Sequence, residues 1–205
     1  MTSALRELEV VARVCTLCRL AETRSQVVFG TGDPGADLML IGEAPGFHED
    51  QQGEPFVGPA GQLLNRLLNE IGLTREDVYI ANVIKCRPPN NRDPLPDEIE
   101  SCKGYLRDQI SMVDPAVVAT LGNFASKLLL RTETGITRLR GRMYPWWQGR
   151  LLVPTYHPAA ALRSGNRLVA EMQLDFALIR EAMDRPRQPV PPVAVPDPEQ
   201  MNLFA

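Results

Sequence analysis

A chain of 205 residues with 44% hydrophobic content can bury one sizeable core, enough for a single globular domain with a tail. No apolar run approaches the roughly 18 residues of a membrane span, and Glu7 and Glu9 break the N-terminus too early for a secretory signal. A cytoplasmic protein is therefore expected, in which thiols stay reduced and grouped cysteines more often hold metal than form disulfides.

In chain order, an N-terminal helix runs into Cys15 and Cys18, a C-x2-C pair. Leu38–Ile41 is the first of four short apolar runs that read as buried parallel strands; Val78–Ala81, Val117–Leu121 and Leu151–Val153 follow. Helical patterns separate them. Gly61–Ile71 repeats leucine at i, i+3, i+4 spacing, and Asp97–Met112 carries Ile99, Cys102, Leu106 and Ile110. A third helix begins near Asn123, and a last one spans Asn166–Met183. This alternation predicts a three-layer α/β/α sandwich around a four-stranded parallel sheet, occupying residues 1–184. Residues 185–199 form a Pro-rich linker without core-formers, and 200–205 a separate terminal peptide.

Each strand is followed by a polar motif: Gly42-Glu-Ala-Pro-Gly46, Asn82-Val-Ile-Lys-Cys86-Arg-Pro-Pro89, Gly122-Asn-Phe-Ala, and Thr155-Tyr-His-Pro158. Loops need Gly and Pro in any case. Ligands of open α/β sheets bind at the carboxyl ends of strands, however, and four such motifs on one edge point to a site.

The four cysteines, Cys15, Cys18, Cys86 and Cys102, suggest one four-thiolate centre. The second pair is too widely spaced for the usual zinc arrangement, whereas an iron–sulfur cluster tolerates it. Spacing alone leaves cluster, zinc and unrelated buried thiols open. The net charge is −3, yet residues 131–167 hold seven arginines against one acid, Glu133. That asymmetry suits phosphate binding, or a solvated arginine-rich surface in a chain with only three lysines.

The motifs GEAPG, PFVG (Pro55–Gly58), NVIKCRPP and HPA, in that order and with this cysteine spacing, resemble the family 4 uracil-DNA glycosylases from about Cys15 to Arg180. The resemblance implies a 4Fe-4S cluster on Cys15, Cys18, Cys86 and Cys102, and a monomer that removes uracil from single- and double-stranded DNA. It implies that Glu43 and Ala44 line the pocket and its water, that Phe56 stacks on the flipped base, and that Asn82 reads uracil O4 and N3–H. His157 would donate to uracil O2, and Glu49 would reject the thymine methyl. The water-activating group is left open, with Glu43 the nearest carboxylate. His48 reads as a surface residue. Leu162 or Arg163 is implied as the wedge, and Arg87, Arg140, Arg142 and Arg163 as phosphate contacts.

The terminal Gln200-Met-Asn-Leu203-Phe204 resembles the peptide by which bacterial repair proteins dock to the replication sliding clamp; fold-back of Leu203 and Phe204 onto the domain is the alternative. Two rival classes remain. A non-catalytic iron–sulfur DNA-binding or redox module would need neither Asn82 nor His157. A uracil-trapping relative would need a histidine between His48 and His157, and none occurs.

Overall fold

A computed structural model describes residues 3–187. The elements are α1 (Ser3–Arg13), β1 (Thr31–Gly32), β2 (Leu38–Gly42), α2 (Phe47–Gln52), α3 (Pro59–Glu70), β3 (Tyr79–Asn82), α4 (Pro96–Val113) and β4 (Val117–Leu121), then α5 (Asn123–Leu130), α6 (Ile136–Leu139), β5 (Tyr144–Trp146), β6 (Arg150–Thr155), α7 (Pro158–Ser164) and α8 (Asn166–Met183).

The sheet order is β1-β3-β2-β4-β6-β5. Its middle four strands are parallel, with Leu40 level with both Ile80 and Ala119. The expected parallel core is present, but the sheet is six-stranded and mixed rather than four-stranded. β1 pairs antiparallel with β3, and β5 antiparallel with β6. Neither edge strand carries an apolar run: one is Thr-Gly, the other Tyr-Pro-Trp. Short edges containing proline resist further pairing, so Pro145 fits its edge position.

Period-two alternation sends Met39 and Ile41 into one core and Leu38 and Leu40 into the other. The first core receives Leu5 of α1 and Leu106 and Ile110 of α4. The second receives Leu64, Leu67 and Leu68 of α3 with Phe176 and Ile179 of α8. Each fully buried leucine contributes about 2 kcal/mol of transfer free energy. The three-layer sandwich follows directly from these two faces. No helix among the described residues is long and apolar enough to cross a membrane.

The tail expected from residue 185 begins under restraint. Arg187 donates to both carboxylate oxygens of Asp114, at 2.9 and 2.5 Å. The remainder of the linker and Gln200, Leu203 and Phe204 lie outside the described residues.

Candidate active site

The chain passes from β2 to β3 on one side and returns to β4 on the other, so the carboxyl ends of β2 and β4 flank a topological switch point. A groove of about 1070 Å³ opens there. Glu43 follows β2, Asn82 ends β3, Gly122 follows β4, and His157 follows β6; all four line it, joined by Ala44, Glu49, Phe56 and Arg163.

Asn82 is 2% exposed, and its Oδ1 has no hydrogen-bond partner. A buried acceptor left unpaired costs about 1–3 kcal/mol, so this oxygen, on the groove wall, is open to a donor from outside the chain. Space around it is tight: a Cβ on Gly42 would lie 2.4 Å from that Oδ1 and 2.7 Å from the Phe56 ring. Only glycine at the end of β2 lets the carboxamide and the ring approach each other.

Phe56 adopts φ 55°, the left-handed region that disfavours a bulky side chain. Its conformation is held from outside. Arg75 donates to the carbonyls of Pro55 (2.7 Å) and Phe56 (3.1 Å). From the other side, Gly61 packs so closely that a Cβ there would meet the Phe56 carbonyl oxygen at 1.7 Å. The ring centroid stands 5.7 Å from that of His157.

His157 caps α7, and its Nδ1 accepts the Ala159 amide at 3.2 Å. A neutral ring with Nδ1 accepting carries its proton on Nε2 and donates there. Burial, reinforced by Arg163, lowers this imidazole from 6.5 to about 4, against a smaller opposing pull from Glu49. At neutral pH it is an uncharged donor.

Glu43 moves the opposite way. Burial, and next the Asp93 carboxylate, raise it from 4.5 to about 7. Glu49 is fixed by the main chain, since Oε1 accepts the amides of Val57 (3.1 Å) and Gly58 (3.4 Å). Neighbouring Asp50, 1% exposed, accepts the Ser25 amide at 2.9 Å and ties this loop to residues 25–26.

Beneath Asn82 lies Lys85, 1% exposed. Its Nζ donates to the Asn82 carbonyl at 2.7 Å and to Gln109 Oε1 at 2.5 Å, and Gln109 in turn donates to the Phe29 carbonyl. Burial lowers Lys85 to about 8, with the Cys102 and Cys86 thiols opposing.

The four cysteines line one small cavity with Arg24, Lys85 and Tyr105. Arg24 Nη1 approaches Cys86 Sγ at 3.3 Å, and the Lys85 amide approaches Cys102 Sγ at 3.3 Å. Burial raises the Cys102 thiol to about 12, so a thiolate there needs a cation beside it. No group of three His, Cys, Asp or Glu side chains closes on a single point as ligands of one ion would, among the described residues.

The expected phosphate contacts divide. Arg163 lines the groove and Arg142 is exposed. Arg87 bonds Asn91 Oδ1 at 2.7 Å and stands 5.1 Å over the Phe47 ring. Arg140 is bound to Asp175 and Glu171 and lies over the Tyr156 ring, with a side chain only 15% exposed. The fully buried Asp175 explains this, because a carboxylate in the core must be paired. Leu162 is 46% exposed, an apolar side chain left in solvent on α7. His48 is exposed, as expected. Arg75, Lys85, Gln109 and Asp93 escaped the sequence reading; only Lys85, a charge between an apolar stretch and a cysteine, offered a local signal.

The uracil DNA glycosylase superfamily profile matches residues 29–181. The chain is 46% identical over 179 residues to the type-4 uracil-DNA glycosylase of Saccharolobus solfataricus, covering 83% of this chain and 82% of the relative. Identity to that of Archaeoglobus fulgidus is 45% over 174 residues, covering 82% and 87%. To that of Thermotoga maritima it is 43% over 162 residues, covering 78% and 84%. With a family profile spanning most of the folded region and relatives this similar over most of their own length, the chain belongs to the uracil-DNA glycosylase superfamily and, within it, to the type-4 enzymes.

Proposed function

We propose that the groove receives a uracil swung out of DNA and that the enzyme hydrolyses its N-glycosidic bond, leaving free uracil and an abasic site for base excision repair. The observation that carries this reading is the unpartnered Oδ1 of Asn82. Uracil N3–H supplies the donor it lacks, while the carboxamide N–H reaches O4. Phe56 offers a flat ring for the base to stack on. As the bond breaks, uracil departs with negative charge on O2, and the neutral His157 places a fixed Nε2–H donor for it. A donor whose bond strengthens as charge develops favours the transition state over the ground state. Glu43, half ionised near neutrality, is the carboxylate available to orient the attacking water.

The same reading assigns Cys15, Cys18, Cys86 and Cys102 to a 4Fe-4S cluster. In its favour is the small cavity that the four cysteines share. Four thiolates that each hold a different iron corner suit such spacing better than one zinc does. A bound cluster supplies a structural clamp between the segment after α1 and the loop after β3. The terminal Gln200–Phe204 peptide is assigned to clamp docking; deleting 200–205 should abolish sliding-clamp pull-down while leaving activity on free oligonucleotides intact.

The test is incubation with uracil-containing oligonucleotides followed by alkaline cleavage, alongside iron and zinc analysis. Asn82→Asp should shift preference from uracil toward cytosine, whose amino group suits the added acceptor. Intact strands after incubation of the metal-replete parent enzyme would refute the activity, and stoichiometric zinc would refute the cluster.

A further inference from the structure

The arginines of residues 131–167 form two populations. Arg140 and Arg150 are packed against Asp175 and Asp114, and exposed Arg167 is paired with Glu171 one turn along α8. Arg131, Arg138, Arg142 and Arg163 are exposed and form no ion pair among the described residues. The structure thus separates arginines already paired with a carboxylate from arginines that pair with none among the described residues.

The second population is not scattered. Arg163 and Arg131 line the base-binding groove. Arg138 and Arg142 line a neighbouring cleft of about 670 Å³, and Thr132 borders both hollows, so the two adjoin. The window's single acid, Glu133, is paired with Lys127 at 3.2 Å and with none of these arginines. Arg140 reaches the second cleft as well, but with its guanidinium already bound to Asp175.

We infer that this second cleft is an auxiliary phosphate site, in which Arg138 and Arg142 grip the DNA backbone beyond the nucleotide held in the pocket and Arg131 bridges the two hollows. The inference rests on the uracil reading for its ligand and adds where the strand runs. Free guanidiniums beside threonine hydroxyls suit phosphate oxygens, and they carry no base-edge geometry, so the grip is independent of sequence. A site of this kind acts on long substrates only.

The test is a double variant, Arg138→Ala with Arg142→Ala, compared with the parent and with Arg180→Ala, an arginine paired to Asp184 on α8. With a uracil oligonucleotide of about 20 nucleotides, KM should rise about tenfold and the log–log salt dependence of kcat/KM should flatten by roughly 1.4 to 1.8, at about 0.7 to 0.9 for each phosphate that is no longer neutralised. The saturating kcat, the Arg180→Ala control and the activity on a uracil trinucleotide should not change. Unchanged KM and salt dependence, or an equal loss on the trinucleotide, overturns the inference. Binding of a uracil-free oligonucleotide, read by fluorescence anisotropy, separates the two readings: parent enzyme that binds DNA through these arginines but releases no uracil keeps the phosphate site and sinks the glycosylase. Equal anisotropy titrations for parent and double variant overturn the phosphate site alone.

Discussion

Arg75 donates from Nη1 to the main-chain carbonyl of Phe56 at 3.1 Å, across 19 residues of sequence. That bond, with its companion to Pro55, holds a phenylalanine at φ 55°, where backbone strain of about 1–3 kcal/mol must be offset by surrounding contacts. The planar guanidinium bridges two carbonyls as a fork, which lysine cannot reproduce. Arg75→Ala should therefore raise KM for uracil DNA and lower kcat/KM about tenfold, with Arg75→Lys recovering little. Steady-state kinetics on a uracil oligonucleotide decide the point; a fully active Arg75→Ala enzyme would show that Phe56 holds its pose without help.

The opposed shifts of Glu43 and His157 give the activity a defined pH dependence. Glu43 is raised to about 7, so its carboxylate form is lost as pH falls through neutrality. If that form orients the water, kcat/KM should fall below about pH 7, and Glu43→Gln should be slower and show no such limb. His157 cannot produce it, because the folded ring takes its proton only near pH 4. Its effect appears in stability instead. With the folded value below the ordinary 6.5, the unfolded chain binds the proton first. The contribution of His157 is complete above about pH 6.5 and declines as pH falls toward 4, by up to about 3 kcal/mol. Melting curves across that window should flatten in His157→Gln.

How far such features could be read beforehand depended on the range of the interactions. The four parallel strands are visible because strands covered on both faces leave continuous apolar runs, whereas two-residue β1 and the Tyr-Pro-Trp of β5 leave no periodicity. Asn82, His157 and Glu43 were legible because a strand end fixes their place on one edge. Phe56 depended on family resemblance, since composition cannot separate a stacking ring from a core ring. Arg75 and the Lys85–Gln109 pair were invisible: their partners lie 19 to 24 residues away. The Arg140–Asp175 pair was hidden for the same reason, because that carboxylate on α8 is 35 residues distant.

Lys85 connects Asn82 to the cysteine cavity. Its ammonium holds the Asn82 carbonyl, and its amide meets Cys102 Sγ. Lys85→Met keeps the length and removes the donor, leaving the Gln109 and Asn82 acceptors unsatisfied in a fully buried site. The variant should melt earlier by about 1–3 kcal/mol of stability and bind uracil DNA less tightly. A normal KM in a destabilised Lys85→Met enzyme would confine the lysine to a structural role.

Glu49 is set by two amides, so its position does not depend on substrate. A rigid carboxylate on the groove wall is suited to excluding a methyl group, by bulk and by the cost of stripping its own hydration. Glu49→Gly should begin to release thymine while retaining uracil activity. Free thymine, measured from T-containing oligonucleotides, is the readout; its absence would assign the exclusion to a different side chain.

Gly42 offers the sharpest test of pocket geometry. Its backbone needs no unusual φ, so a substitution there carries no intrinsic conformational penalty. The obstacle is occupancy alone: an added Cβ meets Asn82 Oδ1 at 2.4 Å and the Phe56 ring at 2.7 Å, both closer than van der Waals separation allows. Gly42→Ala must therefore displace the carboxamide, the ring or both by several tenths of an ångström. A misplacement approaching an ångström in a preorganised site costs on the order of 100-fold in rate. The loss should fall on kcat/KM for uracil DNA, with binding to uracil-free DNA unchanged, because the side chains that crowd Gly42 are Asn82 and Phe56, neither of them proposed to hold phosphate. A Gly42→Ala enzyme with parental kcat/KM would mean that Asn82 and Phe56 do not meet the base together.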